Sequence, residues 1–155
     1  MSKLGRFWKR GKKENEPVAN SKQSPDESTK EFALMNEGNL YRLMLGQHAE
    51  AIKLYDKALE INPQYASAWY GKGISLFELG RFDEAIKCHD RALEITPQQA
   101  DFWFQKGVAQ DSLGLAKDTV ASFRKFIELA PAQHSPIMDR CLEHAHQRLR
   151  ELEGS

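Results

Sequence analysis

The chain has 155 residues, 41% of them hydrophobic, enough to bury one core but not to build two independent globular domains. Lys plus Arg and Asp plus Glu each number 22, so there is no whole-chain charge to drive nucleic-acid binding or acidic solvation. Two cysteines, Cys88 and Cys141, exclude a disulfide scaffold, and no apolar run approaches a secretory core or the roughly 18 residues of a membrane span, so a soluble protein of the reducing cytoplasm is expected.

The charge is unevenly placed. Residues 1–13 carry Lys3, Arg6, Lys9, Arg10, Lys12 and Lys13 with no acid, whereas residues 32–155 hold 14 basic against 17 acidic side chains, a net of −3. Leu4, Phe7 and Trp8 interleave with the cations, a composition that suits an anionic membrane surface with aromatic rings at headgroup level. RNA or an acidic protein patch would attract the same cations, and a merely solubilising tail would carry them with no partner at all. Residues 14–31 are polar, with two prolines and only Val18 and Ala19 apolar, so residues 1–31 read as a disordered basic tail and linker.

From Phe32 onward apolar residues recur at helical spacing with no alternating stretch, which predicts an all-α body. Pro63, Pro97 and Pro131 lie 34 apart, as do Gly46, Gly80 and Gly114. Ala51, Ala85 and Thr119 follow the same period, with Tyr55, His89 and Phe123, then Ala58, Ala92 and Phe126. Trp69 repeats as Trp103 and Gly73 as Gly107. Repeats therefore run 32–65, 66–99 and 100–133. Each splits at its middle glycine, a residue that ends helices in the left-handed conformation, into two helices joined by a tight turn. Asn62-Pro63 and Thr96-Pro97 suit an N-cap followed by Pro at the first helical position, and the alanine columns suit close helix approach. Residues 134–155 predict a last helix with an apolar stripe of Ile137, Cys141, Ala145, Leu149 and Leu152, placed to cap the flank of the third repeat.

The period and the residues Trp69, Gly73, Leu76, Gly80, Ala85, Ala92 and Pro97 resemble the tetratricopeptide repeat (TPR) family. Repeat three departs at Thr119 and Phe126. Repeat one lacks the Trp, and its Gly38 sits one residue early relative to Gly46, which predicts a one-residue insertion in its first helix or turn. The resemblance implies an α-solenoid of three helix-turn-helix repeats whose first helices line a concave groove. It places Ser67, Tyr70, Ile74 and Phe77 of repeat two on that groove, with Asp101, Phe104, Val108 and Asp111 of repeat three. In repeat one it offers Asn36 or Met35, Asn39 or Leu40, and Leu43. Spacing agrees, since steps of three and four keep each set on one helix face, but inter-helix core would have the same spacing.

One branch of the family grips the C-terminal carboxylate of chaperone tails with Lys, Arg and Asn at fixed groove positions. Here those positions read Met35, Asn39, Gly71, Asp101 and Gln105, so only Asn39 survives and Asp101 would repel a carboxylate. No chaperone-tail clamp is expected, and the fitting partner is a protein with an apolar or aromatic segment whose basic residues meet Asp101, Asp111 and Glu78. His48, His89, His134, His144, His146, Cys88 and Cys141 form no ligand or catalytic spacing, and the glycines are dispersed rather than clustered in a phosphate loop. No enzyme activity, metal, cofactor or specific nucleic acid is expected. The reading is an interaction adaptor, and its alternative a peripheral membrane scaffold recruited by the tail.

Overall fold

The computed structural model describes residues 27–132 and 135–154. Among them lie seven α-helices and no strand: α1 Glu27–Met44, α2 His48–Ile61, α3 Ala66–Glu78, α4 Phe82–Ile95, α5 Ala100–Ser112, α6 Ala116–Leu129 and α7 Pro136–Glu153. The helices pack as pairs, α1 on α2, α3 on α4 and α5 on α6, and the pairs stack through α2 on α3 and α4 on α5. The result is an all-α solenoid with α7 lying over the last pair.

Each pair is locked by one ring and one glycine. Tyr55, His89 and Phe123 are buried in the second helices, and a Cβ added to Gly38, Gly73 or Gly107 of the facing first helix would lie 2.7, 2.6 or 2.7 Å from the ring. The first helix can approach only because those positions carry no side chain. Ala51, Ala58, Ala85 and Ala92 are fully buried around these contacts, as their columns predict. Thr119 fits its alanine column because its hydroxyl donates to the Leu115 carbonyl at 3.0 Å instead of facing the neighbour. Phe126 fits the other because it packs beside Ala145 of α7, where no further pair follows.

Gly80 and Gly114 end α3 and α5 at φ +74° and +72°, and the turn closes with Arg81 N–H donating to Leu76 O and Leu115 N–H to Gln110 O. In the first pair the matching bond runs from Gln47 N–H to Tyr41 O, one residue wider. The inserted residue therefore lies at the end of α1, and residues of α1 align with those of α3 at an offset of 35 rather than 34, as Gly38 with Gly73 shows.

Three expectations are corrected. Asn62 and Thr96 are C-caps of α2 and α4 rather than N-caps, and Pro63 and Pro97 lie in the turns ahead of α3 and α5. Proline just beyond a helix end blocks continuation. Here each also offers a carbonyl to the indole N–H of Trp69 or Trp103 at 2.9 Å, which is why tryptophan and proline repeat together. Helix α1 starts at Glu27, inside the stretch whose composition reads as linker, because Glu31 Oε1 accepts from Asn62 Nδ2 at 3.1 Å and ties a polar first turn to the end of α2. In α7, Ile137 is exposed and Met138 turns inward beside Cys141, Leu142, Ala145 and Leu149. Ser135 caps that helix, its Oγ accepting from Met138 N–H at 3.3 Å.

Candidate functional site

The face shared by α1, α3 and α5 receives the residues that the repeat pattern assigns to a groove. Tyr70 of α3 stands at its centre. Its ring stacks on Phe102 with centroids 4.5 Å apart and leans on His89 at 5.7 Å, so one side of it is core. Burial pushes its hydroxyl up to about 12, the Asp101 carboxylate adds to this, and the Arg42 guanidinium and a Gln105 hydrogen bond pull the other way. Ile74 is partly buried on the same helix, Phe77 packs against Phe82 at 5.1 Å, and Asp101 is exposed.

Asn39 is held rather than free. Its Oδ1 accepts from the Tyr55 hydroxyl at 2.9 Å, and the same hydroxyl accepts from Arg42 Nε at 3.3 Å. The Tyr55 ring passes between α1 and α3, since a Cβ on Gly71 would lie 2.7 Å from its Cζ. Sequence reasoning missed Arg42 because the inserted residue displaces the register of α1. At the offset of 35, Arg42 aligns with Phe77 and Asp111, and Phe32, Met35 and Asn39 align with Ser67, Tyr70 and Ile74. The readable signal is the distance from glycine to ring, 17 residues from Gly38 to Tyr55 but 16 from Gly73 to His89.

The third-repeat end of the face is covered by the chain itself. Phe104 lies among Phe123, Phe126 and His144, with centroids 5.8, 5.0 and 6.0 Å away, and Val108 packs in the same cluster. Asp111, expected to meet a partner's basic residue, is gripped by Arg148 of α7 through Nε to Oδ2 at 2.9 Å and Nη2 to Oδ1 at 2.7 Å. The physical reason is that a terminal pair has a stacking flank with no following pair, and α7 fills it with the residues that a longer solenoid would use between repeats. The set outside the α7 cluster is therefore Met35, Asn39 and Arg42, the last two already bonded to the Tyr55 hydroxyl, then Tyr70 and Ile74, then Asp101 and Gln105.

Among the described residues, Cys88 and His89 are placed as packing groups. The Cys88 thiol is buried and pushed up to about 11, which disfavours the thiolate that attacks. Burial lowers His89 to about 4, and neither of its nitrogens has a hydrogen-bond partner among the described residues. The ring fills space, as its column predicts. Among the described residues no three His, Cys, Asp or Glu converge as metal ligands, and no helix is long and apolar enough to cross a membrane. Lys3, Arg6, Phe7, Trp8, Lys9, Arg10, Lys12 and Lys13 lie outside the described residues.

Two family profiles described as tetratricopeptide repeat match the chain, over residues 42–105 and 100–133. Comparison with curated proteins yields no match. Similar solved structures include the first TPR of Spaghetti (RPAP3) bound to the HSP90 peptide SRMEEVD, 21% identical at a TM-score of 0.71 and covering 83% of this chain and 94% of that one. The Sgt2 TPR domain from Aspergillus fumigatus is 23% identical at 0.70, covering 81% and 82%. The Arabidopsis OM64 TPR domain is 22% identical at 0.73, covering 81% and 98%. At this identity the likeness concerns the fold.

Proposed function

Because the chain belongs to the tetratricopeptide repeat family, we propose that it is an interaction adaptor, holding a segment of a partner protein across the face of α1, α3 and α5. The observation that carries the reading is the setting of Tyr70, a partly buried ring stacked on Phe102 and leaning on His89, with Arg42 on α1 and Asp101 on α5 at groove positions of the neighbouring repeats. Such a ring offers apolar area at low entropic cost, while Arg42 and Asp101 give the bound segment a direction. An apolar or aromatic residue on Tyr70 and Ile74, with a basic group toward Asp101 and an acidic or amide group toward Arg42, satisfies all of them.

Similar folds have been solved with HSP90 and HSP70 peptides, SRMEEVD and SGPTIEEVD. A different partner is favoured here. Of the positions that the clamp-bearing branch uses, Gly71 is pressed against the Tyr55 ring, where a larger side chain has no room, and Asp101 puts a carboxylate where a cation is required. The test is affinity capture with wild type and an Arg42→Glu/Asp101→Lys variant side by side, with SRMEEVD titrated into both. Partners recovered by wild type and lost with the variant at unchanged helicity support the reading. Equal recovery by both overturns the groove, and saturable SRMEEVD binding to wild type overturns the choice of partner.

A further inference from the structure

A run of exposed apolar residues follows α1 from the edge of the groove at Phe32 toward its outward side. Phe32, Leu40, Leu43 and Met44 are 56, 52, 62 and 74% exposed. Steps of three, four and eight along a helix bring Phe32, Leu40 and Leu43 to one side, with Met44 beside Leu40. The repeat register says what kind of surface this is. Leu40 aligns with Ser75 and Ala109, and Ala33 with Ala68 and Phe102. In α3 and α5 those positions are buried, Ala68 against α2 and Phe102 against Ala92 and Leu93 of α4. They are the contacts through which each pair stacks on the pair before it. On α1, Leu40 is larger than its counterparts and stays 52% exposed, and Ala33 is exposed as well, whereas the opposite end of the solenoid is covered by α7.

We propose that the chain's own segment around Leu4, Phe7 and Trp8 occupies this face, as the N-terminal counterpart of α7. Three observations favour that occupant. Leu4, Phe7 and Trp8 stand at i, i+3 and i+4, the spacing of one helix face, and they are the apolar cluster that precedes α1 in the chain. Eighteen residues separate Trp8 from Glu27, and a chain of that length has a root-mean-square reach of roughly 20–25 Å, against about 27 Å for the 18 residues of α1. The segment therefore reaches the face at an effective concentration of about a millimolar, which a second copy or a separate partner must exceed. Charge also agrees, because the six cations of residues 1–13 approach a body of net charge −3 with Glu37 exposed beside Leu40 and Met44.

The docked segment hides the same rings that an acidic membrane would take up, so the two states exclude each other. The test uses the full chain labelled with 5-fluorotryptophan, the Trp8 resonance being identified by its loss in Trp8→Phe. The expected result is a Trp8 resonance displaced from that of a solvated indole, unchanged on hundredfold dilution, and returned to the solvated position in Leu40→Gln/Leu43→Gln. Those two side chains are exposed and glutamine is a good helix former, so the variant keeps its fold. Trypsin cleavage after Arg10, which follows the undocked fraction, should be about tenfold faster in that variant and in Leu4→Ser/Phe7→Ser than in wild type. A solvated Trp8 resonance in wild type, with equal cleavage in all three chains, overturns the proposal. A displacement that disappears on dilution together with a dimer mass assigns the face to a second copy instead. A displacement that arises only with vesicles of acidic lipid, and ignores Leu40→Gln/Leu43→Gln, assigns the segment to a membrane.

Discussion

His89 shows how one side chain can satisfy packing and violate solvation. It sits under Gly73 where the other pairs place Tyr55 and Phe123, and its shape suits the slot, but both ring nitrogens are buried without hydrogen-bond partners. Tyr55 avoids this cost because its hydroxyl reaches Asn39 and Arg42, and Phe123 has no polar atom to satisfy. His89→Phe should therefore raise stability by about 1–3 kcal/mol in urea denaturation. The pH dependence has a definite sign. The folded pKa is lowered from 6.5 to about 4, so the unfolded chain takes the proton first. The neutral ring's contribution is complete above pH 6.5 and is lost as pH falls toward 4, by roughly 3 kcal/mol in the limit. The difference in stability between His89→Phe and wild type should widen across that interval, and a constant difference would show that the imidazole protonates in place. Gly73→Ala places a methyl against the same ring, and because the imidazole is enclosed it should destabilise by about 1–3 kcal/mol.

Between helices, small residues and paired end groups set the packing. Ala85 is fully buried in a cluster with Leu76, Cys88 and Ala109, so it touches both its own pair and the next. Ala85→Leu should cost about 1–3 kcal/mol, read as a lower urea midpoint, because the added volume must push two interfaces apart. Repeats two and three share further ties at one period: Lys72 pairs with Asp56 and Lys106 with Asp90, each lysine also lying over the indole of Trp69 or Trp103. The pairs are partly exposed, so they fix orientation more than they add stability. At the last interface, Arg148 holds Asp111 with two hydrogen bonds and bonds Glu151 as well. Asp111→Ala should loosen α7, seen as faster amide exchange in Pro136–Glu153 at nearly unchanged exchange in α3.

As a whole the molecule is a short stack, and its ends behave differently from its middle. Removing residues 134–155 should uncover Phe104, Val108 and Phe126, lower the melting temperature and produce dimers or aggregates in light scattering, since each of those side chains packs in the cluster that α7 completes. A monomeric truncation of equal stability would assign α7 a different role. The sequence alone determined the class of fold, the three glycine turns and the alanine columns, because these depend on local conformation and on contacts that recur every 34 residues. It also marked Tyr70, Ile74 and Asp101 as groove positions and left Arg42 out, since a single inserted residue shifts α1 against any fixed period. Tertiary structure decided the rest. That Phe104, Val108 and Asp111 pack beneath α7, that Tyr55 reserves the space beside Gly71, and that the outward side of α1 lies open all depend on which neighbour stands next to a face. Helical spacing makes a face apolar in the same way whether it meets another repeat, a cap or a partner, so only the position of the pair within the stack tells these apart.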